Sequence, residues 1–508
     1  MKSRKTNHPP TASNLGVRVA SCYRHEIRYP KSNRSLRYRC PYQVLSRWSP
    51  MARAAGTIVT YPARASFIWY ASLITMGASL LLVPVCREEG KPAISLLDAA
   101  FTATSAACVT GLAVRSTGHD FSVFGQIVIL LLIQLGGIGI MTVTTLITFH
   151  LGGRANLRHR AVLAETLGAQ SEPDLGWVLR NVVKLTLVIE ALGFIVLAAR
   201  NLLIDPPAQA IWHALFHAIS AFCNAGFSLN DESLMRYQGD VVVNFTIAAL
   251  VISGGLGFPV MLDIQRNWHA PWLKVWERLC LHSKIMLIGT LCLLVFGTLA
   301  LLTLEWDGAL QDFSLGKKVL VSFFHSMSCR TAGFNTIDLG SLTNASLFIS
   351  ILLMMIGAGP CSTAGGFKVS TMMALILNAR ATLRGDTKIS LFRRTVSPSV
   401  VTRATSTLLL FAVVAVLALT ILLVAEQSTT SHLESDAIFL DSMFEVFSAL
   451  ATVGLSTGFT ARLTDVGRYI IIVLMFMGRL GPISVFVALS RSERTHRVEF
   501  PNEELLIG

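Results

Sequence analysis

Four short runs in this chain end on a glycine and could offer backbone carbonyls to a cation: Val109-Thr110-Gly111, Asn224-Ala225-Gly226, Thr331-Ala332-Gly333 and Thr452-Val453-Gly454. Glycine reaches dihedrals closed to other residues, so successive carbonyls can turn toward one axis. Rings of such carbonyls can replace the hydration shell of a monovalent cation. The chemistry on offer is coordination of an ion in transit, with no bond made or broken. A second set lies in the run Gly357 to Gly366, where Gly357, Gly359, Ser362, Thr363, Gly365 and Gly366 surround Pro360 and cannot hold a regular helix. Lys368 and Arg479 belong with it, as charges inside apolar surroundings.

Other chemistries find little support. No nucleophile stands beside a base and no glycine-rich loop is placed to cradle phosphate, so the chain does not read as an enzyme. His213 and His217 sit four apart, a spacing that could hold a metal on one helix face, but no third ligand is near and packing is the default role. The nine cysteines are scattered, mostly in apolar stretches, and read as reduced packing residues.

The elements that would position the four runs emerge from an internal repeat. Gly111, Gly226, Gly333 and Gly454 are 115, 107 and 121 residues apart. Ten residues before each stands a phenylalanine, Phe101, Phe216, Phe323 or Phe444, and six before stand Ser105, Ser220, Met327 and Ser448. A second glycine cluster follows each, at Gly136-Gly137-Ile138-Gly139, Gly254-Gly255-Leu256-Gly257, Gly357-Ala358-Gly359-Pro360 and Gly478-Arg479-Leu480-Gly481-Pro482. Such coincidences argue for duplication.

With 508 residues, 52% of them hydrophobic, 14% charged, and a mean hydropathy of +0.57, the chain belongs in a bilayer. Eight apolar runs are long enough to span, among them Phe67 to Val85, Val123 to Phe149 and Leu281 to Leu304. The segments before the central glycines are too short to cross. Non-helical backbone at membrane depth needs a protein-lined or watery cavity, so four half-helices ending at glycines imply one shared cavity. Their negative C-terminal ends would favour a cation there. The expected architecture is an all-α polytopic membrane protein: four membrane-pore-membrane repeats around a central pore, with eight transmembrane helices and four re-entrant half-helices. The repeats are set at 65–150, 151–263, 264–380 and 381–490, with tails at 1–64 and 491–508.

Charge gives the orientation. The connectors 150–184, 263–284 and 378–403 hold 15 Lys or Arg against six acids, which places them and both termini in the cytoplasm. The other side carries an acidic excess that includes Asp231, Glu232, Glu305, Asp307, Asp312, Glu426 and Glu434; these either concentrate cations at a mouth or are solvated loop acids. Residues 1–64 carry 13 Lys or Arg against Glu26 alone. They read as a disordered cytoplasmic tail, with anionic lipid as the alternative and a nucleic-acid partner not expected. Met51 is an alternative start. Glu190, Arg330 and Glu445 are the remaining charges at membrane depth. Arg330 and Glu445 are expected to brace the half-helices, and Glu190 has no partner that the sequence names. The broken run 357–366 should form a loop in the cavity near Arg479. Either it is a gate latched by Arg479 or it is a packing kink.

At this point the chain resembles the Ktr, Trk and HKT superfamily of potassium transporters from about Phe67 to Leu489. The resemblance rests on Thr104-Ser-Ala-Ala-Cys-Val-Thr-Gly-Leu112, Ser220-Ala-Phe-Cys-Asn-Ala-Gly-Phe227, Arg330-Thr-Ala-Gly-Phe-Asn-Thr-Ile-Asp338, Ala451-Thr-Val-Gly-Leu455 and Gly478-Arg-Leu-Gly-Pro482. It implies K+ as the transported ion at the twelve filter residues, Na+ as an activator, and an intramembrane gating loop matching Gly357 to Gly366. It is most similar to the Ktr membrane subunit, which implies a homodimer in the cell (inner) membrane docked on a cytoplasmic ring of nucleotide-binding regulatory proteins. Glycine at Gly111 resembles the K+-selective members. Cys223 stands where many relatives have a second asparagine, and the basic lead has no counterpart. The alternative of a different class is a secondary cation carrier with alternating access.

Overall fold

The computed structural model describes residues 62–154 and 175–481, apart from 269–270, 387–388, 393 and 428–436. The basic lead up to residue 61, Glu434, Pro482 and the C-terminal tail lie outside the described residues. The described chain is mostly helical. Among these residues the one departure from an all-α fold is a two-strand hairpin, β1 (Ser390–Leu391) and β2 (Arg394–Thr395), antiparallel with Ser390 opposite Thr395.

One order of elements recurs four times: a helix, a short helix stopping before a central glycine, then another helix. It reads α1 (Pro62–Leu81), α2 (Leu96–Ala107) and α3 (Val123–Arg154); then α4 (Leu175–Asn201), α5 (Pro207–Phe222) and α6 (Val241–Leu256). Next come α7 (Phe258–Asn267) and α8 (Trp272–Arg278), outside the pattern, and then α9 (Leu281–Leu304), α10 (Leu315–Ser328) and α11 (Asn344–Met355). The chain continues through α12 (Val369–Arg384), α13 (Pro398–Gln427), α14 (Ile438–Leu450) and α15 (Asp465–Leu480). The edges expected at 263 and 380 fall inside α7 and α12.

Among the described residues, four helices are by length and composition able to cross a membrane: Val123–Thr142, Leu179–Asn201, Leu281–Leu304 and Pro398–Glu426. The bent pair α6 and α7, turned by 102° at Gly257, makes a fifth if counted as one. The apolar runs from which eight spans are expected include two that are interrupted. Gly257, at φ +93, ends α6. The 357–366 run stops α11 after 12 residues, and the next helix, α12, begins only at Val369.

The second glycine clusters explain how the helices pack. A Cβ at Gly136, Gly254 or Gly478 would collide with the carbonyl oxygen of Ala107, Phe222 or Leu450 respectively. In three of the four units the second helix therefore lies directly against the C-terminal end of the short one. In each unit the end of the first helix, or the turn just after it, is also tied to the residue that precedes the second, by three different chemistries. Ser122 donates its amide to Cys86 (3.0 Å) and its hydroxyl to Val85 O (2.6 Å). Arg200 donates to Asp240 (2.8 Å). Glu305 accepts from the Thr343 amide (2.9 Å) and hydroxyl (2.7 Å), and Glu426 accepts from the Thr464 hydroxyl (2.8 Å). Glu305 and Glu426 are thus helix-capping acceptors rather than acids lining a mouth.

Candidate ion pathway

Each short helix hands over to its glycine through the same backbone sequence. Two residues before the glycine the chain is left-handed, at Val109 (φ 54), Asn224 (φ 59), Thr331 (φ 66) and Thr452 (φ 50). The glycines follow at φ 101, 69, 77 and 90, with an ordinary residue between. Asparagine tolerates that region, but a β-branched residue there is a true outlier, costing about 1–3 kcal/mol. Three of the four corners hold that strain in Val or Thr.

The glycines meet in a ring. A Cβ on Gly111 would lie 2.5 Å from Ala225 O, on Gly226 2.8 Å from Gly333 Cα, on Gly333 2.6 Å from Val453 O, and on Gly454 2.9 Å from Gly111 Cα. All four line one cavity of about 350 Å³, together with Asp231. The hydroxyl oxygens of Thr110, Thr331 and Thr452 are buried with no hydrogen-bond partner among the described residues. Buried hydroxyls are normally satisfied, so three orphans beside one ring are a signal in themselves.

Serines hold the corners in shape. Ser105 and Ser448 accept from the amides of Gly111 and Gly454, each at 3.1 Å. Ser220 and Ser448 donate to the carbonyls of Phe227 (2.8 Å) and Leu455 (2.6 Å). At the third corner the donor is Ser328, to Phe334 O, and not Met327. The phenylalanine shifts likewise: Phe101, Phe216, Phe324 and Phe444 are wholly buried, whereas Phe323 is half-exposed and stacks on Phe245. The third segment has one residue fewer between its phenylalanine and its glycine, a deletion hidden in sequence because Phe323 and Phe324 are adjacent.

The expected braces divide. Buried Glu445 accepts from Ser456 and from Thr460 (2.9 Å), just beyond the fourth glycine. Arg330 donates to Thr290 (3.3 Å), while its Nε has no partner among the described residues. Asp98, which the sequence did not single out, binds Arg115 (3.0 Å) and Arg468 (3.1 Å) and so joins the first corner to the fourth. Its signal was an acid in the first turn of a half-helix. His217 bonds the carbonyl of His213 and the hydroxyl of Ser228, and no group of three metal-binding side chains occurs among the described residues.

The 357–366 run forms a loop against the second and fourth corners. Its ends pair through Gly357 N to Phe367 O (2.9 Å). Gly359 N donates to Gly255 O (2.8 Å), and Phe258 N donates to Cys361 O (3.0 Å), tying the loop to the break between α6 and α7. The Thr363 hydroxyl and the Asn224 amide share a 2.9 Å hydrogen bond, and Ser362 caps Gly359 O at 2.6 Å. A Cβ on Gly365 would strike the Thr452 hydroxyl, and Gly366 lies against Ala451. Lys368 stays within the loop, donating to Ala364 O (2.7 Å) and Gly365 O (3.1 Å). Arg479 is 4% exposed; it donates to Thr363 O and to Gly136 O (3.0 Å) and sits beside Tyr70, whose hydroxyl also reaches Gly136 O at 2.7 Å. The expected proximity of Arg479 to the loop holds. Tyr70, from the first helix, was missed because a lone tyrosine in an apolar run carries no periodic mark.

Comparison with known proteins places this geometry. The family model described as "TrkH: Cation transport protein" matches residues 71–497. The chain is 39% identical over 441 residues to Ktr system potassium uptake protein B of Vibrio alginolyticus, covering 86% of this chain and 93% of that one. It is also 39% identical over 440 residues to Ktr system potassium uptake protein B of Bacillus subtilis (strain 168), covering 86% and 94%. It is 35% identical over 442 residues to Potassium/sodium uptake protein NtpJ of Enterococcus hirae, covering 86% and 95%. Among solved structures, the potassium transporter TrkH from Vibrio parahaemolyticus superposes with a TM-score of 0.66 at 18% identity, over 84% of this chain and 83% of that one, and so shares the fold. The chain belongs to the TrkH family of cation transport proteins, a family of membrane transporters.

Proposed function

We propose that this protein carries K+ across the cell (inner) membrane through a gated pore whose filter is the ring at Gly111, Gly226, Gly333 and Gly454. The observation that carries the reading is the left-handed residue two before every glycine, strained at three of the four, beside three threonine hydroxyls with no partner among the described residues. Strain of that kind persists where function requires it, and orphaned oxygens in a ring suit a partly dehydrated cation. The names of the relatives add K+, and in one case Na+.

On this reading the four units are membrane-pore-membrane repeats, eight spans in all, and the loop 357–366 is a gate held by Arg479. Both termini are cytoplasmic, the protein works as a homodimer on a nucleotide-binding ring partner, and Na+ is its activator. An alternating-access carrier would build its site between two halves at the midplane. Four corners closing on one axis favour the pore.

The test is K+ uptake by a transport-deficient bacterium expressing the chain, with and without Na+, and with Gly111→Ser. Uptake of K+ is expected, stimulated by Na+. The serine, at φ +101 and pressed against Ala225 O, should cost the preference for K+ over Na+. Absence of K+ uptake from a membrane-inserted protein would overturn the assignment.

A further inference from the structure

Glu190 lies in α4, a membrane-crossing helix, and is 5% exposed. A carboxylate is costly at that depth and survives where it has work and partners. Its partners are on two other elements. Gln134 of α3 donates to its Oε2 at 2.9 Å, and Cys223, which caps the C-terminus of α5, has its Sγ 3.4 Å from Gln134 Oε1 and 3.9 Å from Glu190 Oε1. The contact exists because α3 carries Gly137 there: a Cβ at that position would sit 2.7 Å from Cys223 Sγ. Cys223 directly precedes Asn224, the left-handed residue of the second corner. Asn224 is therefore held from the loop side by Thr363 and from behind, through Cys223, by Gln134 and Glu190. Among the described residues the other corners have no carboxylate bonded to the cysteine or alanine that ends their short helices.

We propose that Glu190 is a positioning residue that sets the ion selectivity of the second corner, acting through Gln134 and Cys223 on the backbone of Asn224. It touches no ion. The proposal rests on the filter reading above and goes beyond it by naming what fixes the one corner whose left-handed residue is not β-branched. A corner without β-branched stiffness needs an external constraint if its carbonyls are to keep the spacing that discriminates cations.

The experiment measures K+ and Na+ uptake on the full chain in membranes, normalised to inserted protein, for Glu190→Leu, Glu190→Gln, Gln134→Leu and the Glu190/Gln134 double variant. Glu190→Leu should lower the K+ to Na+ ratio by about fivefold, the equivalent of one lost buried hydrogen bond. Glu190→Gln, which still accepts from Gln134, should keep at least half of the wild-type ratio. Gln134→Leu should match Glu190→Leu, and the double variant should be no worse than either, because all three break one chain of contacts. A merely structural role would reduce inserted protein at constant selectivity. An unchanged ratio in transporting Glu190→Leu protein, or additive losses in the double variant, would overturn the proposal while leaving K+ transport intact. If the wild type itself carries no K+, it is the filter reading that fails. Should Glu190→Leu not insert, Gln134→Leu alone decides by the same ratio.

Discussion

Two layers around the glycine ring differ in symmetry. The ring of glycines is built four times over, with the same left-handed residue, the same buried phenylalanine and a serine at each corner. The layer against it is built once. Among the described residues, only the third unit opens its second helix into a loop, and only the fourth supplies an arginine to meet it. Coordination of a spherical ion rewards equivalence, since each carbonyl shares the same task. Control rewards the opposite, because one movable element with one latch can have two discrete states, whereas four would have to move together.

The largest effect is expected in the symmetric layer. Gly454→Ala puts a Cβ against Thr110 O and 2.9 Å from Gly111 Cα, at a φ of +90. Overpacking and strain of this kind cost about 1–3 kcal/mol each, so K+ uptake should fall by more than about tenfold. Uptake above half of wild type, with the protein inserted, would detach the ring from conduction. The next effect is in the asymmetric layer and has the opposite sign. Arg479→Gln removes the donors to Thr363 O and Gly136 O. Hydrogen bonds from a charged donor are worth about 1.5–3 kcal/mol, so loss of the latch should shift the loop equilibrium and raise K+ flux by about tenfold. Unchanged or lower flux in folded protein would leave the loop a packing kink.

The symmetric layer was largely legible in the sequence, because glycines that recur at a fixed offset from a phenylalanine mark a backbone requirement that no other residue meets. The left-handed residues before them were not legible. Val109 and Thr452 are types that avoid such dihedrals, and only the packed corner forces them there. Apolar runs lead to an expectation of eight spans, and apolarity does not report a 102° bend at Gly257 or a loop between α11 and α12. Charge bookkeeping leaves Glu305 and Glu426 as either mouth acids or solvated loop acids, because it sees which side of a membrane a residue lies on and not which amide it accepts from. Glu190 was visible as an anomaly, but its partners are 56 and 33 residues away and share no pattern with it.

The smallest expected effect tests where symmetry in sequence and symmetry in space part company. Counting back from the glycines makes Met327 the third-corner equivalent of Ser105, Ser220 and Ser448, whereas the hydrogen bond to Phe334 O comes from Ser328. Ser328 is wholly buried, so Ser328→Ala strands a carbonyl beside the ring at a cost of about 1 kcal/mol, and K+ uptake at limiting K+ should drop by about fivefold. Met327→Leu keeps the volume and removes no hydrogen bond, so it should stay within about twofold of wild type. Parallel uptake curves, corrected for inserted protein, would show the difference. If the methionine variant proves the more damaging, the third corner follows the sequence count after all, and the one-residue deletion placed between Phe324 and Gly333 must lie elsewhere in the segment.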